Sequence, residues 1–158
     1  MSPEETLNIV TATIKAAEFC FLITAGENGH AHARLMQPFG AEKDLTIWMG
    51  LSPHSRKARE IKINPHVTLA YQHAPEGAYV TLLGTATLVD NLDQRQHYWR
   101  DSFFEFWPEG PTGEFYILLK FIPEKIEVMN MARQAAPQPY GLKAIFLTRT
   151  PAGWVSVT

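Results

Sequence analysis

Residues 51–67 read LSPHSRKAREIKINPHV, and within them Arg56, Lys57, Arg59 and Lys62 crowd around a single acid, Glu60. The whole chain carries a formal net charge of -2 at pH 7, so this positive charge is a local feature. Ser52 and Ser55 stand where a helix would begin. Free backbone N–H groups and the helix dipole favour an anion at such a start. A serine hydroxyl adds a donor there, Lys57 a point charge, and an arginine a two-pronged fork. Arg34 can supply that fork. It sits mid-strand between Ala33 and Leu35, where an unpaired charge is costly if buried. The chemistry on offer is the capture of a phosphate by Arg34 and the Ser55-Arg56-Lys57 turn. Arg59 and Lys62, with Glu60, read instead as a solvated helix face.

Other reactive groups are sparse. His30-x-His32 has chelating spacing on a strand, but no Cys, His or Asp cluster accompanies it, so no metal site is expected. The one cysteine, Cys20, lies in the apolar stretch EFCFLITA and reads as a small buried hydrophobe. There is no nucleophile elbow and no glycine-rich loop of the phosphate or dinucleotide type. Trp99, Phe103, Phe104, Phe106 and Trp107 fall mostly at core spacing. Trp107, beside Pro108-Glu109-Gly110, is placed to cover a flat ring.

These groups need elements to hold them. Ser2, Pro3 and Glu5 form a helix start, and Leu7, Val10, Ile14 and Ala17 give it one apolar face. Gly26-Glu27-Asn28-Gly29 predicts a hairpin whose second strand puts His30, His32, Arg34 and Met36 on one face. A second hairpin is expected through GAEKD to the returning strand LTIWMG. The basic segment is a helix ended by Asn64-Pro65. HVTLAYQH and AYVTLLGTATLVD make a third hairpin, with Gly84 marking a bulge or a close backbone approach. DNLDQRQHYWRDSFFEFW reads as a helix. EFYILLKFI and KIEVMNM read as two strands joined by Pro123-Glu124, ARQAAPQPYG as a proline-rich loop, and LKAIFLTRTPAGWVSV as a last hairpin.

Short turns between neighbouring strands make them antiparallel. The expected class is therefore mostly β: a six- to eight-stranded antiparallel barrel with α-helices packed outside, in one domain spanning 1–158. With 46% hydrophobic and 19% charged residues the chain has the composition of a globular protein. Its slight acidity argues against a general nucleic-acid binder. No basic-then-apolar leader and no membrane-length apolar run are seen, so the expectation is a soluble, cytoplasmic protein with no membrane partner.

HAHARLMQPF, IWMGLSPHSRKAREIKINPHVTLAYQ, YVTLLGTATLVD and FWPEGPTGEFYILLKFIPEKIEV, in this order and spacing, resemble the pyridoxamine 5'-phosphate oxidase-like family of FMN-binding split barrels. The likeness is to its short general-stress-protein branch and runs from about residue 15 to about 130. It implies a six-stranded split barrel and a homodimer, with one FMN in each of two clefts at the interface. On this likeness Arg34 and Lys57 hold the FMN phosphate, with Ser55 and Arg56 beside them. Leu35 and Met36 present backbone and side chain to the flavin ring, and Met49, Gly50 and Leu51 line its polar edge. Leu51 stands where relatives commonly carry a threonine. The region that supplies substrate-binding arginine and histidine in true pyridoxamine phosphate oxidases has no match here, so vitamin B6 oxidation is not implied.

The reading that follows is an FMN-dependent oxidoreductase passing electrons or hydride to a small, unnamed substrate, the flavin carrying the chemistry. The alternatives are a flavin-binding stress protein without turnover, and a barrel holding haem or F420 instead. Haem needs an axial ligand, for which His30, His32 and His73 are candidates.

Overall fold

The structure, a computed structural model, describes residues 1–135 and 143–157. It opens with helix α1 (Pro3–Ala17), capped by Ser2 and Glu5 in the reciprocal pattern expected. Strands β1 (Cys20–Ala25) and β2 (Ala31–Met36) form the first hairpin. Then come β3 (Ile47–Leu51), helix α2 (Arg56–Ile63), β4 (His66–His73) and β5 (Ala78–Val89). Helix α3 (Leu92–His97) leads to the long strand β6 (Ile117–Asn130), and the hairpin β7 (Ile145–Thr150) and β8 (Gly153–Val157) closes the order.

Among the described residues eight strands join one antiparallel sheet, in the order β2-β1-β4-β5-β6-β7-β8, with β3 paired to β6. The mostly β class is as expected, with eight strands where the likeness implied six. The sheet curls around a core of Val10, Ile14, Leu22, Ile47, Met49, Leu51, Leu69, Val80, Leu82, Leu119, Phe121 and Val128. A second, aromatic layer of Trp48, Tyr116 and Leu118 lies on the other side of β3 and β6. Among the described residues no helix is long and apolar enough to cross a membrane. The part of the expected proline-rich loop from residue 136 onward lies outside the described residues.

Three expectations about the elements are corrected. The chain after β2 does not return as a hairpin partner: β3 pairs with β6 instead. β3 is buried on both faces, with Ile47, Met49 and Leu51 in the core and Trp48 in the aromatic layer. The edge strand β2, half-buried on one face and exposed on the other, cannot cover it, whereas β6 has apolar residues on both sides. The connector folds back on β3 and the residue ahead of it, through Phe39 N–H to Trp48 O at 2.9 Å and Glu42 N–H to Thr46 O at 2.9 Å.

The segment expected as one helix over 90–107 is broken into α3 and a 3₁₀ turn, Asp101–Glu105. The break wraps Tyr98, Trp99, Phe103 and Trp107 around the layer beneath, whereas Phe104 and Phe106, expected at core spacing, are exposed. Tyr98 stacks on Trp48 at 4.9 Å, and Trp99 and Trp107 reach Tyr116 at 5.1 and 5.0 Å. Buried Arg95 fixes the bend, paired with Asp90 at 2.7 Å and donating to the Gly113 carbonyl.

The two strands expected on either side of Pro123 are one continuous strand. A proline lacks the N–H of a ladder and is tolerated at a bulge. The register of β5 against β6 shifts between Leu83 and Gly84, and Gly84 faces Pro123. A Cβ at Gly84 would lie 2.1 Å from the Ile122 carbonyl oxygen, so both the bulge and the close approach expected there are present. Gly84→Ala should lower the unfolding free energy by about 1–3 kcal/mol, the usual cost of forcing extra volume into a packed site. Urea denaturation at neutral pH measures this, and an unchanged midpoint would refute it.

Candidate functional site

Three elements meet at the basic segment. Ser55 caps α2: its hydroxyl accepts from Ala58 N–H at 3.3 Å and donates to the Ser52 carbonyl at 2.7 Å. The first helical N–H groups, those of Arg56 and Lys57, make no hydrogen bond among the described residues. The helix therefore opens with two unpaired donors and its positive dipole end.

Glu60 is the member of this cluster that the sequence placed wrongly. Arg59 and Lys62 are exposed as expected, but Glu60 is buried, at 7% exposure, and shares no solvated face with them. Its carboxylate accepts from Thr24 Oγ1 at 3.0 Å, meets His32 Nδ1 at 2.7 Å and Arg34 Nη2 at 3.4 Å, and lies 3.8 Å from Arg56 Nε. Burial alone would raise the Glu60 carboxyl. The hydrogen bonds from His32 and Thr24 outweigh it and hold the group below the usual carboxylate range.

Arg34 is pinned by the same hairpin. Its Nη1 donates to Thr24 Oγ1 at 2.7 Å, to the His32 carbonyl at 3.0 Å and to the Leu22 carbonyl at 3.2 Å. Burial draws its guanidinium below the ordinary arginine value, opposed by the charge of Glu60. Lys57 is half-buried, and no carboxylate pairs with it among the described residues. Burial and the nearby charge of Arg34 both lower its ammonium. Arg34 and Arg56 thus share one carboxylate and Lys57 has none among the described residues, which leaves surplus positive charge around the open start of α2. An arrangement of this kind has the charge and donors to take an anion.

The structure sorts the remaining predicted residues into separate groups. His32, Arg34 and Met36 share the half-buried face of β2 as expected, with His30 just ahead of the strand. Leu35 points to the opposite, outer face and is 59% exposed. Met36 packs against the core. The side chains of Met49 and Leu51 are fully buried, so only their backbone is left to face a ligand. Gly50 lies under the aromatic layer, where a Cβ would approach Tyr116 to 2.9 Å and Trp107 to 3.3 Å. Trp107 is half-buried there and joined to Gly50 rather than to the basic cluster. His73 ends β4 beyond Tyr71, at the opposite end of the β1–β4 pairing from Thr24, and does not share a site with His32.

Cys20 is buried, its thiol pushed up to about 12 by that burial, in keeping with a hydrophobic role. Among the described residues no group of three or more His, Cys, Asp or Glu is placed to hold a metal. The residues sequence reasoning missed are Glu60 as an anchor and Thr24 as its partner. The spacing of Glu60 four residues after Arg56 was the available signal, since such pairs meet on a helix. Nothing in the apolar run FLITA marks Thr24 out.

A family model described as "Pyridoxamine 5'-phosphate oxidase like" matches residues 5–145. General stress protein 26 of Bacillus subtilis (strain 168) is 32% identical over 107 residues, covering 66% of this chain and 74% of that protein. A crystal structure of a protein related to general stress protein 26, from Clostridium acetobutylicum, superposes with a TM-score of 0.77 at 19% identity, over 92% of this chain and 95% of the other. A pyridoxamine 5'-phosphate oxidase-related, FMN-binding protein from Nostoc punctiforme PCC 73102 gives a TM-score of 0.71 at 14% identity, over 100% of this chain and 98% of the other.

Because the folded state holds the Glu60 carboxyl below its ordinary value, the carboxylate stabilises the fold above the unfolded-state value of about 4.3 and loses that contribution as pH falls through the folded value. Glu60→Gln should cost about 1–3 kcal/mol at pH 7, the scale of hydrogen bonds to a charged group, and should flatten the acid side of the stability profile. Urea melts between pH 7 and pH 3 give both numbers. Parallel profiles for the two proteins would show that Glu60 is not the titrating anchor.

Proposed function

Because the chain belongs to the pyridoxamine 5'-phosphate oxidase-like family, we propose that it is an FMN-binding oxidoreductase acting on a small substrate. The observation that carries this reading is the half-buried ammonium of Lys57, without a carboxylate partner among the described residues, beside two N–H groups equally unpaired there at the start of α2. A phosphate dianion there would satisfy all three donors and neutralise the surplus charge. Arg34 adds a fork whose direction is already fixed by Leu22, Thr24, His32 and Glu60, so little freedom is lost on binding. Arg56 stands on the same turn.

Bound FMN supplies hydride or single-electron chemistry that no side chain of the chain offers. The protein's part is to hold and orient. Met36 and the backbone of Met49–Leu51 give an apolar wall and peptide groups near the strand ends, and Trp107 closes over Gly50. The FMN-binding neighbour from Nostoc punctiforme supports the same cofactor.

The outer sheet face supports a homodimer. Across the register, Leu35, Phe21, Ala70 and Thr81 lie side by side, with Ala33, Ile23, Thr68 and Leu83 in the next row. Phe21 is 48% exposed and Leu35 59%. Apolar side chains gathered on one sheet face favour a self-complementary partner. Leu35 follows Arg34 directly but points to the opposite face, so a second copy here would lie across β2 from the phosphate clamp.

Purified protein mixed with FMN and desalted should keep the visible flavin bands; protein that leaves the column colourless would remove this reading. Lys57→Ala should weaken FMN by about 1.5–3 kcal/mol in fluorescence titration, the scale of a lost charge-assisted hydrogen bond, with the denaturation midpoint unchanged. Arg34→Ala should lose comparable affinity and also some stability, because it leaves Glu60 short of a partner. Leu35→Asp should convert a dimer to a monomer by light scattering; a wild-type monomer would refute the interface.

A further inference from the structure

Beside the clamp lies a cleft of about 510 Å³, between α2 and the turn of the β1–β2 hairpin. Its volume falls within the ~300–1,000 Å³ common for ligand sites. Arg56, Arg59, Glu60 and Ile63 form the helical wall, at the spacing of a single helix face. His30 and His32 face them from the hairpin.

The wall has an order along the helix. Arg56 belongs both to the clamp and to the cleft. Arg59 comes next, exposed and without a carboxylate within ion-pair distance among the described residues. Ile63 follows, apolar and 75% exposed. At a rise of about 1.5 Å per residue, Ile63 stands on the order of 10 Å beyond Arg56. Two acids share the cleft. Glu60 is already engaged by Arg34 and His32, and Glu27 is an exposed residue of the hairpin turn. Within the cleft Arg56 and Arg59 equal the two acids in number; because Glu60 is taken up by Arg34, His32 and Arg56, the cations left without a carboxylate among the described residues are Arg59 here and Lys57 in the clamp.

We propose that this cleft is a second anion subsite, which takes the second phosphate and the base of a flavin dinucleotide. It rests on the flavin reading above and extends it: the clamp holds the flavin-side phosphate, Arg56 and Arg59 hold the next one, and Ile63 offers its apolar surface to the face of the adenine. The sequence of a cation pair, a lone cation and an exposed aliphatic side chain along one helix matches that order of groups. Ile63 puts an exposed apolar side chain on the wall beyond the two arginines.

Isothermal titration with FMN, FAD, inorganic phosphate and inorganic pyrophosphate tests it. FAD should bind about tenfold or more tighter than FMN, and pyrophosphate tighter than phosphate, as one added charge-assisted contact requires. Arg59→Ala should abolish both margins while leaving the FMN affinity unchanged. Ile63→Asp should lower FAD affinity alone among the flavins. If FMN binds but FAD binds no tighter, or Arg59→Ala leaves both margins intact, the subsite is overturned and the FMN reading stands. If neither flavin binds, both readings fall together, whatever pyrophosphate does.

Discussion

A single buried carboxylate holds the site together. Glu60 lies on α2 and reaches Thr24 on β1 and both His32 and Arg34 on β2. Without it a short, strongly basic helix would have to pack against an edge hairpin that carries its own arginine. Like charges in a partly desolvated place repel strongly, and the two elements would part. Glu60 turns that repulsion into a shared attraction. It also sets where Arg34 points, because one end of the guanidinium is committed to the carboxylate and the other to backbone carbonyls of the hairpin.

One carboxylate among Arg34, Arg56 and Lys57 leaves the cluster positive by design of its count. A second acid would have made a closed, self-satisfied network, of the kind that adds specificity to a fold but binds nothing. The deficit is confined to the start of α2, where the backbone itself contributes unpaired donors. Stability and binding are thus divided within one small group of residues. Glu60 and Thr24 hold the elements together, Arg34 does so while also serving the proposed phosphate site, and Lys57 and the first N–H groups have no partner among the described residues. The cost of keeping Lys57 half-buried shows in the lowering of its ammonium by burial and by Arg34.

Much of this was legible in the sequence, for reasons that differ by residue. Helix α1 and the β1–β2 and β4–β5 hairpins carry their own punctuation, a capping box and tight or short turns, which act over a few residues. The basic cluster was visible because charge density is a local property. What local pattern could not give was partnership at a distance. β3 looks like the return strand of a hairpin, and only its apolar residues on both faces hint that it belongs inside. Pro123 looks like a strand break until Gly84, far away in sequence, is placed opposite it. Glu60 looks solvated because its partners Thr24 and His32 lie 36 and 28 positions earlier. The side chains of Met49 and Leu51 fall into the core because strand alternation, not proximity to the basic turn, decides their direction.

The proline in β6 has a further consequence for how the molecule can change. On one edge β6 pairs with β5 along nearly its whole length. On the other edge it pairs with β3 from Ile117 to Phe121 and with β7 from Lys125 to Val128. Pro123 sits at the handover between those two partners. The half that carries β3 leads directly to Gly50 and the start of α2, while the half that carries β7 leads only to the final hairpin. A change in the outermost strand β8 therefore falls on the far side of Pro123 from the β3 pairing, whereas β7 is tied to both sides, with Leu147 in one core with Ile47 and Met49 and Arg149 reaching Asp44 ahead of β3. The joint divides one strand into an arm that carries the site and an arm whose outermost partner, β8, has room to vary.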